Sequence, residues 1–233
     1  MGRVGLSTPS IGSVEAEVAA ALWQVEAAFV AHPARDVLES RTPRQRPIVL
    51  AEADPLSLAL GLGTTIGDPD DVRSLTPWLL RAVVTDGRVD LHSVLSRIAA
   101  FWDDWGTAER TAVRDFVDTL WVALLDRHPG PAMFLPVATA TSFLDDASGL
   151  GDGPGRLISI WEYKDTASAD HHLAELVIDA HYGARIAPEV IAWSRARPQR
   201  ERLERAARRD RDEAWAGDVG AALDLLAVCP PSS

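Results

Sequence analysis

The stretch HHLAELVIDAH, residues 171–181, holds the densest set of metal-ligating side-chain types in the chain. On a helix, His172, Glu175 and Asp179 fall at i, i+3 and i+7 and share a face, while His171 reaches Glu175 at i+4. Imidazole and carboxylate donors on one face suit a transition metal. A complete site needs more than one face. HExxH and HxxEH are absent from the sequence, and no second helix repeats a Glu-x-x-His pair. The expectation is therefore an exposed polar helix face with no metal and no other cofactor, His171, His172, Glu175 and Asp179 being the metal candidates.

Other chemical signatures are incomplete. Asp103-Asp104 and Asp145-Asp146 are acidic pairs, but neither extends to Asp-Asp-x-x-Asp. The first pair reads as a helix end and the second as the entry to a linker. GLGTTIG (Gly61, Gly63, Gly67) does not follow a strand, so it is not a dinucleotide loop. Gly-x-Ser-x-Gly and the Walker loop are absent, and the single cysteine, Cys229, gives nucleophilic catalysis no anchor.

GDPDD, residues 67–71, admits two readings, an acidic site or a helix start. Asp68 suits an N-cap and Pro69 the first helical position. Asp70 and Asp71 then lie beside the positive end of the helix dipole. Val72, Leu75, Leu79 and Val83 continue an apolar face, and Pro77 is expected to kink that helix or to restart it with Thr76 as cap.

The elements around these residues read as helices. Val14, Val18, Leu22, Val25 and Phe29 follow a Ser13 cap at helical spacing. PARDVLES reads as a short helix, residues 41–47 as a loop, and Asp54-Pro55 as the opening of another helix to about Leu62. Asp90 caps a helix with Leu91, Val94 and Ile98 inward, and Thr107 opens the clearest one, with Val113, Phe116, Val117, Leu120, Trp121 and Leu124 on one face. Residues 131–144 fit a helix kinked by Pro136. DDASGLGDGPG, residues 145–155, reads as an internal linker. RLISIWEY reads as helix from its neighbours. Thr166 or Ser168 caps the next helix and Pro188 starts another. Residues 197–213 form a solvated helix with Glu201–Arg205 and Glu204–Arg208 pairs, and about 218–228 a last helix. Strand alternation and hairpin dipeptides are missing, so the fold expected is all-α: antiparallel helix pairs in an irregular bundle or a short HEAT-like solenoid. A single domain is expected over 13–228, with tails at 1–12 and 229–233.

Charge narrows the class of partner. The 233 residues carry 23 basic and 34 acidic side chains, a net −11, and all the basic residues but Lys164 are arginine. Outside 197–213 the balance is −13. Such a surface repels nucleic acid and anionic membrane and favours basic partners. One cysteine fits a reducing compartment, a secretory leader is not visible, and no apolar run approaches the ~20 residues that span a bilayer. A cytoplasmic protein is expected.

TTIGDPDDVRSLTPWLLRAV, AVRDFVDTLWVALLDRHP and ASADHHLAELV resemble, in order and spacing, uncharacterised all-helical, HEAT-like bacterial proteins across roughly residues 55–228. Those proteins tend to carry Trp where Ile66 stands and aromatic and His residues where Val72 and Ser74 stand. The resemblance implies an α fold and no activity.

Two classes of function follow. The first is a non-catalytic binding protein holding a basic protein partner, a toxin-neutralising immunity protein being one concrete form. Its contact residues would be Asp103, Asp104, Asp145 and Asp146, gathered at helix ends. One or two of the eight tryptophans, Trp105 among them, would be the exposed apolar anchor. The second is an enzyme, metal-dependent in one form, whose site is assembled from scattered Asp, Glu and His. Charge and absent motifs favour the first.

Overall fold

The computed structural model describes residues 11–42, 46–127 and 139–228. These residues form eleven α-helices and one pair of two-residue strands. The chain is an all-α helical bundle.

The first helix, α1 (Ile11–Ala28), begins inside the expected tail, two residues before Ser13. It buries Val14, Val18, Leu22 and Val25, with Phe29 one turn on. PARDVLES is not a helix. Val37–Leu38 (β1) pairs antiparallel with Ile48–Val49 (β2), Val37 opposite Val49 and Leu38 opposite Ile48. Leu38 is fully buried, and Gly67 N–H donates to Glu39 O at 2.8 Å. Backbone pairing across the chain thus overrides the local helix preference of Ala34 and Arg35.

Side-chain caps set the next helices. Asp54 accepts from Ser57 N at the start of α2 (Pro55–Gly61). Asp68 and Asp71 exchange a reciprocal capping box at the start of α3 (Pro69–Thr85), with Asp71 N donating to Asp68 Oδ1 and Asp68 N to Asp71 Oδ2, both at 3.0 Å. GDPDD is a helix start. The expected restart at Pro77 does not occur. The helix runs through it, and Thr76, fully buried, turns its hydroxyl back to Val72 O at 2.9 Å instead of capping. Asp90 caps α4 (Leu91–Ala99).

After a short 3-10 turn at Trp102–Asp104 comes α5 (Thr107–Leu125), whose expected apolar face is buried throughout. The helix expected over 131–144 lies partly outside the described residues; α6 covers Ala140–Ala147, capped by Thr139, so Asp145 and Asp146 sit in its last turn. The segment expected as a linker is a packed loop. Leu150 is buried, and a Cβ on Gly151 would meet Trp102 Nε1 at 2.7 Å. Gly151 also has a φ of 87°, so it is glycine for both reasons. RLISIWEY is helix, in α7 (Gly155–Glu162).

Thr166 caps α8 (Ala167–His181), and α9 (Pro188–Ser194), α10 (Arg197–Arg209) and α11 (Ala216–Val228) complete the chain. α10 is not the solvated helix expected. Gln199, Arg202, Leu203 and Ala206 are buried, and the Arg202 guanidinium binds Asp170 of α8 and the carbonyls of Trp161 and Lys164. Its surface pairs are Arg197–Glu201 at 2.7 Å and Arg200–Glu204 at 3.3 Å, in place of those expected four positions further on.

The core centres on Trp121, Phe116, Phe143 and Trp161. Trp121 lies 5.2 Å from Phe143 and 5.3 Å, edge-on, from Trp161. Each indole N–H is satisfied, by Leu157 O at 2.9 Å and Ala169 O at 3.0 Å. α1 lies along α5 and α11 along α8. In a solenoid each unit would touch only its neighbours in sequence, so these skipped pairings make the architecture a bundle. Among the described residues no helix is long and apolar enough to cross a membrane.

Candidate functional site

The expected acidic contact residues divide by environment. Asp103 and Asp104 occupy the 3-10 turn after α4, are exposed, and make no ion pair among the described residues. Asp145 and Asp146 are half-buried. Asp146 sits 2.8 Å from His92 Nδ1, and burial pushes its carboxyl up despite that partner. Asp145 lies 4.0 Å from Arg185. Asp152, close to the second pair in sequence, is held by Arg114 at 2.7 Å, with the same guanidinium 5.2 Å from the Trp102 ring centre. The contacts of Gly151 with Trp102 and of Gly149 with Ala99 seat the loop after α6 beside the turn at 102–104.

Trp105 is not an exposed anchor. It is 4% exposed and packs edge-on against Phe29 at 5.2 Å. Trp102, three residues earlier on the same face, lies 6.0 Å away and is also buried. The short turn drives both indoles inward. The exposed tryptophan is Trp23 of α1, at 62%. The phase of that helix carried the signal: Trp23 lies off the Val14–Val18–Leu22–Val25 stripe.

The expected polar face at 171–179 is mostly internal. His171 and His172 are buried. His172 Nε2 faces Leu124 O at 3.1 Å and Arg127 O at 3.3 Å, and Nδ1 lies 3.1 Å from Glu175. It therefore sits against backbone carbonyls at and just beyond the C-terminal end of α5. His171 Nε2 lies 3.1 Å from Asp218 of α11. Asp179 accepts from Thr141 Oγ1 at 2.6 Å, away from the histidines' partners. Among the described residues no three His, Cys, Asp or Glu side chains gather as a metal site.

Two concave surfaces are built from residues distant in sequence. One, about 440 Å³, lies between α1 and α5 and is lined by Glu17, Ala20, Gln24, Asp118, Thr119 and Val122, among others. Trp23, exposed on the same helix as Glu17 and Ala20, is not among the residues lining this groove. Asp118 binds Arg156, yet burial pushes its carboxyl up to about 6.

The other is a polar cleft of about 240 Å³ lined by His32, Arg35, Asp70, Asp71 and Ser74. Arg35 reaches Asp68 at 3.1 Å and Asp71 at 3.5 Å. The Asp71 N–H above all, with Arg35, holds the Asp68 carboxyl below the usual carboxylate range. Glu109 of α5, buried, accepts from Arg73 at 2.6 Å and lies 3.2 Å from His32 Nε2. Burial opposes its ionisation, but hydrogen bonds from Arg73 and the Gly106 N–H outweigh that and keep its carboxyl low. Sequence reading identified Asp68 as the cap and placed Asp70 and Asp71 at the positive end of the helix dipole; it missed His32, Arg35 and Glu109, because nothing in their local spacing marks them.

No family model, characterised protein or solved structure matches the chain.

Proposed function

We propose that this chain is a non-catalytic cytoplasmic protein that binds a basic protein partner, in one concrete form as a toxin-neutralising immunity protein. The observation carrying this reading is Trp23, 62% exposed on α1, the helix that also gives Glu17 to a groove whose charged lining residues, Glu17 and Asp118, are both acidic. α1 itself has no basic residue. A large exposed indole supplies the anchor, and acidic groups of one sign supply steering and specificity. Asp103 and Asp104, exposed without ion pairs among the described residues, add to the negative charge of the surface. A net charge of −11 disfavours nucleic acid as the partner.

The test is capture from native lysate at low and high salt, then measurement of affinity for the protein identified. A basic protein is expected at low salt. Trp23→Ala should weaken binding by at least about tenfold, as a hot-spot truncation does. Asp103→Asn/Asp104→Asn should slow association and reduce its salt dependence. An acidic partner, or equal affinity for wild type and Trp23→Ala, overturns the reading.

A further inference from the structure

We propose that the cleft between the end of α1 and the start of α3 is a binding site for a guanidinium or primary ammonium group, with Asp71 as its principal acceptor and Arg35 as an internal competitor. The proposal stands apart from the surface at Trp23 and does not depend on it.

The starting point is an imbalance at one carboxylate. The Asp71 side chain is 1% exposed. Its Oδ2 accepts from Asp68 N at 3.0 Å and has Arg35 Nη1 at 3.5 Å. Its Oδ1 is buried and has no hydrogen-bond partner among the described residues. A buried carboxylate oxygen without a donor is costly, and the group only accepts when ionised, so what completes it must donate an N–H or O–H. Asp71 lines the cleft, whose volume of about 240 Å³ far exceeds the ~10–15 Å³ needed for one water.

The charges select the sign of the ligand. Asp70 and Asp71 line the cleft and Asp68 adjoins it, against Arg35 and His32. Arg73 is already spent on Glu109. An anion would meet the two lining carboxylates, whereas a cation with several N–H groups satisfies Asp71 Oδ1 and gains from Asp70. A metal ion is a poorer match, since no group of three metal-ligating side chains forms among the described residues. Guanidinium and ammonium both donate charge-assisted hydrogen bonds at short range.

Arg35 shows what the site accepts. Its guanidinium already binds the Asp68–Asp71 pair from outside, and its side chain is 50% exposed, so it can swing into solvent at little cost. An incoming cation would displace it and take the inner oxygen that Arg35 leaves unserved. The same chemistry can come from a free small cation or from an arginine or lysine side chain of a partner.

The experiment follows backbone amide NMR shifts of the full chain during titration with methylguanidinium chloride, n-butylammonium chloride and a capped Gly-Arg-Gly peptide, at constant ionic strength set with sodium chloride. Saturable shifts at His32, Asp70, Asp71 and Ser74 are expected with at least one organic cation. Tighter binding of the peptide assigns the source to a partner's side chain; saturation by the free cations alone assigns it to a small molecule. Asp71→Asn should weaken binding about tenfold or more, through loss of a charged hydrogen bond. Asp70→Asn, outside the capping box, should weaken it without affecting folding, and so serves if Asp71→Asn does not fold. Arg35→Ala should tighten binding by up to about fivefold, the worth of an exposed ion pair. Unsaturable shifts, shifts unchanged by Asp70→Asn, or weaker binding in Arg35→Ala overturn the proposal.

Discussion

Glu109, in the first turn of α5, receives the Arg73 guanidinium of α3 through two parallel hydrogen bonds, Nε to Oε1 at 2.6 Å and Nη2 to Oε2 at 2.5 Å. The same carboxylate accepts the Gly106 N–H at 2.7 Å and meets His32 at 3.2 Å. One buried side chain thus caps its own helix, holds α3 and secures the turn after α1. Such bidentate pairs add geometry as well as energy, and here one fixes α3 against the start of α5.

Removing that carboxylate leaves Arg73 without its main partner. Glu109→Ala should cost about 2–4 kcal/mol, somewhat less than a fully buried pair because Arg73 is 24% exposed. The sign with pH follows from a lowered carboxyl. Its contribution is complete above the ordinary glutamate range and is lost as pH falls through the folded-state value. Urea unfolding of wild type and variant at pH 7 and in acid measures both. A loss under about 0.5 kcal/mol at pH 7 would mean the pair behaves as a surface contact.

Asp68→Ala removes one half of the capping box and should cost about 0.5–2 kcal/mol. Asp68→Asn, which keeps an acceptor for the Asp71 N–H, should recover most of it. Equal midpoints for wild type and Asp68→Ala in chemical denaturation would contradict the capping role.

Asp118 should act in the opposite direction. Burial first, against the pull of Arg156, raises its carboxyl from 3.8 to about 6 in the folded chain. The folded state then binds more protons than the unfolded state between these values, so this group's contribution falls as pH rises through that window. Asp118→Asn should match wild type near pH 4 and be more stable by about 1–3 kcal/mol at pH 7. Carboxyl-detected NMR gives the titration directly, and a midpoint near 4 would remove the basis of the prediction.

How much of this was legible in the sequence depended on distance along the chain. Asp54, Asp68, Asp90 and Thr166 were readable as caps because a cap bonds within three residues of itself. The apolar stripes of α1, α3 and α5 were readable for the same reason, since helical periodicity is local. The exposed position of Trp23 was also within reach, from its phase on α1.

Tertiary structure decided the rest. Whether Trp105 faces solvent depends on Phe29, 76 positions away, being there to receive it. Arg202 sits in an arginine-rich run expected to be solvated, yet Asp170, 32 residues earlier, draws it inside. His172 was expected on an exposed polar face, but packing buries it against the carbonyls of Leu124 and Arg127. Val37–Leu38 became a strand only because Ile48–Val49 returned beside it. Sequence by itself determined where helices start, which faces are apolar and the sign of the net charge, since each depends on near neighbours or on composition. Which polar groups meet, as Glu109 meets Arg73 and His32, is settled by how the helices pack. Burial makes those meetings obligatory, because a carboxylate removed from water must find its donors in whatever element the fold brings next to it.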